Sequence, residues 1–287
     1  MDLMICGMCG AQHSTRAIKS CVVCDDPRQY VPPDGQTWTT LRELQRSGKF
    51  QNVFKHDKYD SGLISIYTQP QVAIGQRAIL CCTEKGNILW DCITYIDEET
   101  IKTIKDLGGI HAIVISHPHY YSTSLHWAEA FDCNVYLSAE DKDWIMRTGP
   151  AHVLWEGNEK EFLDGQFKAV KVGGHFPGSS VLLWKERKKL LVADSITVIP
   201  SGVYHVDRPA DTASFTFMWS YPNMIPLPPE EVYGIWKAVA ALDFEDTHGA
   251  FWSRDTRGQS KKRVLDSAKI FIRFMGYTEH AIHKVTL

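Results

Sequence analysis

The chain has 287 residues, 44% of them hydrophobic and 23% charged, which is typical of a globular protein large enough to bury a core. Its 31 basic and 34 acidic residues give a net charge of -3 without a long run of like charge, which argues against nucleic acid and anionic membranes as partners. Collagen-like, coiled-coil and disordered architectures are excluded, and no apolar run reaches the ~20 residues of a membrane span. We expect a cytoplasmic protein, because Met1 to Ser20 lacks the pattern of a secretory signal.

Residues 1–34 are rich in cysteine, glycine, aspartate and proline, and they hold too few large apolar side chains to make a core. Two Cys-x2-Cys pairs lie within them, which is the spacing of zinc-binding knuckles. The segment is therefore predicted to be a zinc-ribbon-like element whose ion is held by Cys6, Cys9, Cys21 and Cys24. Four thiolates close the coordination shell and leave no position for substrate, so this zinc is expected to be structural. His13 is a less favoured replacement for one thiolate.

The remaining residues, 35–287, are predicted to form one layered domain of strands and helices, α/β or α+β. Hydrophobic spacing first predicts a helix from Trp38 to Ser47, and the apolar strands LISIY, RAILCC and NILWDC follow. Asp97 is expected to cap the next helix. The later elements are the strand HAIVIS, a helix from Ser124 to Ala130, a strand from Asn134 to Ser138, a helix from Glu140 to Arg147, strands around Phe167 and Val181, a return through Lys188 to Ala193, and helices from Pro229 to Leu242 and from Ser260 to Met275.

Histidine and aspartate recur where predicted strands end. His117 and His119 follow the strand HAIVIS, His175 follows the strand around Phe167, and Asp194 follows the strand KKLLVA. Each residue alone is a weak signal, but three imidazoles and one carboxylate are the ligand set that a zinc or iron site needs. Together they predict a metal centre that is separate from the four-cysteine site.

The sequences ILWDC, SHPH, GGH and the strand ending in AD, in this order, resemble the metallo-β-lactamase superfamily from about Gln36 onward. The resemblance implies an α+β fold, the four-layer αββα sandwich, to which the N-terminal element would be added. It also implies that three histidines hold the first metal ion and that Asp194 binds this ion or bridges to a second one. Asp91 would support the site from behind the ligands. The implied histidine ligands are His117, His119 and His175.

The chain departs from the superfamily pattern HxHxDH, because Tyr121 and Ser122 stand where aspartate and histidine would build a second metal site. We therefore expect one catalytic ion, with Ser122 beside the ligands rather than among them. His248 is the candidate for the late histidine of the family, and it is expected to hydrogen-bond substrate or the metal shell more readily than to bind metal. Tyr121 could donate its hydroxyl to a developing oxyanion, or it could be a packed aromatic that replaces the lost carboxylate.

A long connection from Val203 to Pro229 is rich in aromatic side chains and is predicted to form a wall of the substrate pocket. Its candidate substrate-binding residues are Tyr204, Phe215, Trp219 and Tyr221. An aromatic lining favours a flat, apolar small molecule over a nucleotide or a sugar phosphate. The same side chains could instead form a satellite core or a dimer face, which leaves a homo-oligomer open.

The sequence thus predicts a zinc-dependent hydrolase, similar to lactamases and lactonases, that acts on a small apolar or aromatic lactam, lactone, amide or ester. Zinc would lower the pKa of bound water to ~7, and the metal-bound hydroxide would attack the carbonyl. Tyr121, His248 and Asp194 are the candidate catalytic residues. The alternatives are a mononuclear non-haem iron dioxygenase with the same ligands and a non-catalytic binding protein of the same fold.

Overall fold

The computed structural model describes residues 2–203 and 209–287. The chain divides into two compact units, Met1–Glu156 and Gly157–Leu287. The N-terminal element of residues 1–34 lies within the first unit, and its predicted boundary with a separate catalytic domain stays a prediction. In the described part of the chain, no helix has the length and apolar character needed to cross a bilayer.

The first unit contains a two-stranded sheet and a seven-stranded sheet. Strands β3 to β6 of the larger sheet are antiparallel, and β6 to β9 are parallel. The elements of the unit are β1 (Met4–Cys6), α1 (Val22–Asp25), β2 (Trp38–Thr40), α2 (Leu41–Arg46), β3 (Gln51–His56), β4 (Leu63–Gln69), β5 (Arg77–Cys81), β6 (Ile88–Trp90), α3 (Glu98–Asp106), β7 (Ala112–Val114), a 3-10 turn (Pro118–Tyr120), α4 (Ser124–Phe131), β8 (Asn134–Ser138), a second 3-10 segment (Ala139–Trp144) and β9 (His152–Trp155).

Helix α3, between the parallel strands β6 and β7, begins and ends where the capping signals of the sequence predict. The Asp97 carboxylate accepts the Thr100 backbone N–H at 2.8 Å and so begins α3. Gly108, at a φ of 101°, ends it in a conformation that side chains rarely adopt. Strands β6 and β7 are buried at every residue, as expected for parallel strands covered on both faces.

Two predicted helices of the first unit are wrong in part. Residues 38–40 form β2 instead of the first helical turn, because their backbone pairs with β1, and Thr40 then caps the shorter helix α2. The segment 140–147 is a 3-10 segment that ends at Trp144. The carbonyl of Met146 accepts the Ser14 N–H at 3.1 Å, so this backbone bonds to the N-terminal element rather than continuing a helix.

The second unit contains a six-stranded sheet in the order β10–β11–β12–β13–β18–β19 and two short two-stranded sheets. Helices α6 and α7 bury their apolar faces in the same core as β11, β12 and β13. The elements are β10 (Glu159–Phe162), β11 (Phe167–Lys171), β12 (Ser180–Trp184), β13 (Lys189–Leu191), β14 (Thr197–Val198), α5 (Pro200–Val203), β15 (Phe215–Thr216), β16 (Met218–Ser220), β17 (Ile225–Pro226), α6 (Pro229–Val239), β18 (Asp246–His248), β19 (Asp255–Thr256), α7 (Ser260–Phe274) and a 3-10 turn (Ala281–Lys284).

Each unit brings its predicted site residues to one edge of a sheet. In the first unit β6 and β7 are parallel, so Asp91 and His117 follow strands that end at the same edge. In the second unit β11 and β13 are both antiparallel to β12 and therefore run in the same direction, which places His175 and Asp194 at one edge. The mixture of sheets and helices confirms the α+β class.

Candidate metal centres

The His117 loop is held by a buried carboxylate. Asp91 follows β6 with a left-handed φ of 61°, and its backbone N–H donates to the Val114 carbonyl at 2.9 Å. This turn directs the Asp91 carboxylate to the backbone N–H of Ser116, which it accepts at 2.7 Å. A charge-assisted bond between two buried groups fixes the backbone immediately before His117. Asp91 thus holds the loop that carries His117, and its support of a metal site stays a prediction.

His117 and His119 lie on either side of Pro118 with their ring centroids 5.1 Å apart. Both residues are 2% exposed. The Ser116 hydroxyl is 2.8 Å from Nδ1 of His117. When this hydroxyl accepts the Nδ1 proton, the Nε2 lone pair is available to a metal ion, which is the usual way in which a neighbouring group orients a histidine ligand.

Gln29 is a neighbour of this pair that sequence reasoning missed. Its side-chain amide nitrogen lies 3.2 Å from Nε2 and 3.4 Å from Nδ1 of His119. Gln29 belongs to the N-terminal element, ninety positions before its partner, and the surrounding residues DDPRQYV carry no spacing that points to an active site.

His175 and Asp194 are the two predicted metal ligands that belong to the second unit. Nε2 of His175 is 3.7 Å from Oδ2 of Asp194, which is too long for a hydrogen bond. Ligand atoms about 2.0–2.1 Å from a tetrahedral zinc ion are about 3.3 Å apart, so the pair is only slightly wider than one edge of a coordination shell. Nδ1 of His175 lies 3.1 Å from the Met218 carbonyl, to which it can donate a proton and leave Nε2 to the metal.

The backbone around His175 is constrained by packing. Gly174 has a φ of 81°, and a Cβ there would lie 2.9 Å from side-chain carbons of Ile235 and Leu227. The backbone N–H of His175 donates to the Ser195 hydroxyl at 3.2 Å, and this hydroxyl donates to the Gly173 carbonyl at 2.6 Å. Gly174 therefore allows the loop that carries His175 to lie directly against α6.

The candidate substrate-binding aromatics have different surroundings. Tyr221 donates its hydroxyl to the Asp194 backbone carbonyl at 2.7 Å, and burial raises its pKa well above the usual value. Phe215 is 1% exposed and lies in the hydrophobic core, which favours a packing role, while Trp219 is half-buried against that core. Tyr204 lies outside the described residues. Substrate binding by these four residues stays a prediction.

Tyr121 and Ser122 are buried beside the N-terminal element. Tyr121 lines a small cavity with Arg147 and His152, and burial raises the pKa of its phenol well above the usual value. The Ser122 hydroxyl lies 3.3 Å from the Gln76 amide nitrogen. Neither residue is a metal-binding side chain of the kind found in the HxHxDH pattern, and the role of Tyr121 as an oxyanion donor stays a prediction.

His248 ends β18 and is fully buried. Its Nδ1 lies 3.2 Å from the Asp255 carboxylate, and its Nε2 lies 3.4 Å from the Arg257 guanidinium. These contacts orient the imidazole within the second unit. Its predicted contact with substrate or the metal shell stays a prediction.

The four N-terminal cysteines come together as a thiolate cluster. Their sulfur atoms all lie within 4.8 Å of one another, with Cys6 3.5 Å from Cys24 and Cys9 3.7 Å from Cys21. A tetrahedral zinc ion with Zn–S bonds of ~2.3 Å separates its sulfurs by about 3.8 Å, so the cluster fits such an ion. The Gln36 amide donates to the Cys6 sulfur at 2.8 Å, which stabilises a thiolate. All four cysteines are buried and none forms a disulfide.

Comparison with known proteins gives one family and a set of similar folds. Residues 74–240 match the model of the metallo-beta-lactamase superfamily. A protein of Bacillus subtilis strain 168, uncharacterized protein YmaE, is 41% identical over 279 residues, which cover 95% of this chain and 97% of that protein.

Two solved structures illustrate the similar folds. The structure of VMB-1 at pH 5.5 has a TM-score of 0.58 at 12% identity and covers 78% of this chain and 99% of its own. A structure described as the peroxy diiron species of the chemotaxis sensor ODP has a TM-score of 0.50 at 15% identity and covers 78% of this chain and 99% of its own. At such identities the likeness concerns the fold alone.

Proposed function

The chain belongs to the metallo-beta-lactamase superfamily, and on this premise we propose that it is a metal-dependent hydrolase of small molecules in which His117, His119, His175 and Asp194 share one metal ion. Its α+β fold is that of this family. The proposal has one catalytic ion, as the sequence predicts, because Tyr121 and Ser122 stand where the family pattern has the aspartate and histidine of a second metal position.

The observation that carries the proposal is the pair His175 and Asp194. A buried carboxylate and a buried imidazole lie 3.7 Å apart, while the other imidazole nitrogen lies within hydrogen-bond distance of the Met218 carbonyl. A metal ion bound by Nε2 of His175 and by a carboxylate oxygen of Asp194 would join the two side chains at this edge.

The residues around the ligands would hold the site in one geometry. A bound ion would supply Lewis acidity and would lower the pKa of a water molecule that it binds. The Asp91 carboxylate fixes the backbone before His117, and Tyr221 fixes the backbone of Asp194. Orientation of this kind reduces the reorganisation needed during the reaction.

An apolar cavity in the second unit supports a small, apolar substrate. Its volume is about 240 Å³, and its wall is mostly apolar, with polar side chains from Tyr221, Thr197, Thr216 and Arg254. The apolar lining residues include Val198, Ile199, Pro200 and Phe251. On this lining we propose a lactam, lactone, amide or ester with an apolar or aromatic substituent.

Zinc is the proposed metal, and iron is the second candidate. Histidine and carboxylate ligands suit both ions. The second candidate function is therefore a mononuclear non-haem iron dioxygenase that would use the same four residues. A cytoplasmic location is part of the proposal, because a four-thiolate cluster persists best where cysteines stay reduced.

The test is hydrolysis of a panel of cyclic amides, lactones and esters by wild type and by His175→Ala, each after metal analysis under aerobic and anaerobic purification. Zinc-loaded wild type should hydrolyse at least one class, and the variant should not. Equal activity of the two proteins would show that the hydrolysis arises elsewhere. Inactive wild type that contains iron and consumes oxygen with a thiol substrate would establish the dioxygenase instead.

A further inference from the structure

The N-terminal element contacts the ligand loop of the first unit through Gln29. The Gln29 side chain is 9% exposed, and its amide nitrogen lies 3.2 Å and 3.4 Å from the two ring nitrogens of His119. A glutamine amide has an acceptor and a donor on one group, and a half-turn of the amide exchanges them. With its oxygen toward the ring, Gln29 would accept the N–H of the nitrogen that does not bind metal.

Gln29 follows the last cysteine of the thiolate cluster closely in the sequence, and the residues between them are held by hydrogen bonds. Helix α1 begins after Cys21 and contains Cys24, and the backbone N–H of Gln29 donates to the Asp26 carbonyl at 2.9 Å. Asp26 is fixed in turn, because its carboxylate accepts the Trp144 indole N–H at 3.1 Å and pairs with Arg28 at 2.6 Å. Arg28, four positions after Cys24, also lies over the Trp144 ring, with its guanidinium carbon 5.3 Å from the ring centroid.

A second contact joins the element to the same loop. Gln12 lies between the two cysteine pairs, and its backbone N–H donates to the Ser122 carbonyl at 3.2 Å. Its side-chain amide lies 3.1 Å from Nε2 of His126. The element therefore contacts the loop both at a predicted ligand and just beyond it.

We call the four predicted ligands of the proposed catalytic ion the histidine centre, and we call the N-terminal element, residues 1–34, the thiolate element. We propose that the thiolate element positions the histidine centre and that Gln29 is the positioning residue, which fixes the orientation of the His119 ring. This inference rests on the proposed function, because it assumes that His119 is a ligand. A partner on the second ring nitrogen fixes the tautomer and the orientation of a histidine ligand, and removing such a partner lowers metal affinity about 10- to 100-fold.

The test is a titration of the histidine centre with Co²⁺ in full-length protein whose thiolate cluster has first been loaded with zinc. Gln29→Leu keeps the approximate volume and removes both polar atoms, so it should weaken Co²⁺ binding about 10- to 100-fold and alter the visible spectrum of the bound ion. Gln29→Glu keeps an acceptor toward the ring and should restore affinity to within about 3-fold of wild type.

Gln45→Leu is the matched control, because the Gln45 amide donates to the Ile96 carbonyl in the same unit and does not contact a histidine in the described structure. It should leave the Co²⁺ affinity and spectrum unchanged. Zinc content of the thiolate cluster and the thermal midpoint should be the same in Gln29→Leu and wild type, which shows that the variant is folded.

The outcomes separate the two proposals. Wild-type affinity and spectrum in folded Gln29→Leu would overturn the positioning role and leave the hydrolase proposal intact. Wild type that binds Co²⁺ but hydrolyses no substrate would overturn the hydrolase, while the Gln29 comparison still decides the positioning role. Wild type that binds no Co²⁺ at the histidines would overturn both.

Discussion

The thiolate cluster takes its ligands from residues 6–24, whereas the predicted ligands of the histidine centre span residues 117–194. In the first case four sulfur atoms face one another within a short, poorly apolar segment. In the second case the predicted ligands follow strands of the two larger sheets, and His117 and His175 lie within hydrogen-bond distance of the Ser116 hydroxyl and the Met218 carbonyl. With a bound ion, the first arrangement would stabilise a segment with few large apolar side chains, whereas the second would use the cores of the larger sheets to orient its ligands.

The largest expected effect is the loss of turnover when a ligand of the histidine centre is removed. His119→Ala and Asp194→Ala should each lower kcat by at least about 10³-fold, and the double variant should be no worse, because ligands of one ion act as a unit. Metal content should fall by about one ion per chain, with the thiolate ion retained. Steady-state kinetics and elemental analysis measure both. Additive losses would show that the two residues serve different steps.

Removal of cysteine ligands should affect the thiolate cluster alone, and a chelator should distinguish the two centres by how readily each releases its ion. Cys6→Ser combined with Cys9→Ser should lose about one ion per chain and the order of the N-terminal element, because a closed four-thiolate shell then lacks half its ligands. Wild type treated with a chelator should release the histidine-bound ion first. Elemental analysis and amide hydrogen exchange over residues 2–34 provide the measurements. Full metal content in the double variant would show that the cysteines bind no ion.

The thiolate cluster was predictable from sequence because its information is local. Two Cys-x2-Cys pairs identify the ligands without knowledge of the fold, and the capping signal at Asp97 is local in the same sense. His175 and Asp194 were predictable because parallel strand ends meet at one edge, which the pattern of strands already implies.

Features that depend on distant partners were not predictable. Trp38 has helical spacing with Leu41 and Leu44, yet its backbone pairs with Cys6 and becomes a strand. No local spacing points to Gln29 as a neighbour of His119, because their contact exists only after the N-terminal element has packed on the rest of the first unit. The same reason explains the shortened helix at Trp144, whose indole donates to Asp26.

A smaller effect is expected from Asp91, which supports the histidine loop without being among the predicted ligands. Asp91→Ala leaves the buried Ser116 N–H without its acceptor and places alanine at a positive φ, so the free energy of unfolding should fall by about 3 kcal/mol. Asp91→Asn keeps an acceptor and tolerates this φ, and it should cost about 1 kcal/mol. Urea unfolding measures both. Equal losses in the two variants would mean that the charge, rather than the hydrogen bond, holds the loop.

The smallest expected effect is a change of stability with pH that arises from His152. This residue lines the small cavity between residues 11–12 of the N-terminal element and residues 121–125. His152 lines this cavity with Gln12, Tyr121 and Arg147, and neither of its ring nitrogens has a hydrogen-bond partner among the described residues. Burial, together with the nearby Arg147 charge, lowers the pKa of His152 from 6.5 to about 4. Between these values the unfolded chain binds a proton that the folded chain does not, so the stability from this residue is complete above pH 6.5 and is lost as the pH falls toward 4.

From pH 7 to pH 5 the free energy of unfolding of wild type should therefore fall by about 1 kcal/mol more than that of His152→Gln, which cannot titrate. Linkage with these two pKa values gives a loss of about 2 kcal/mol between pH 7 and pH 5, and about half of it is expected because solvent reaches part of the ring. Urea unfolding at both pH values, in wild type and variant, gives the difference directly. His126 also has a lowered pKa and is common to both proteins, so its contribution cancels. Identical pH slopes would show that the His152 ring is solvated in the folded protein, with water filling the cavity between the thiolate element and the ligand loop.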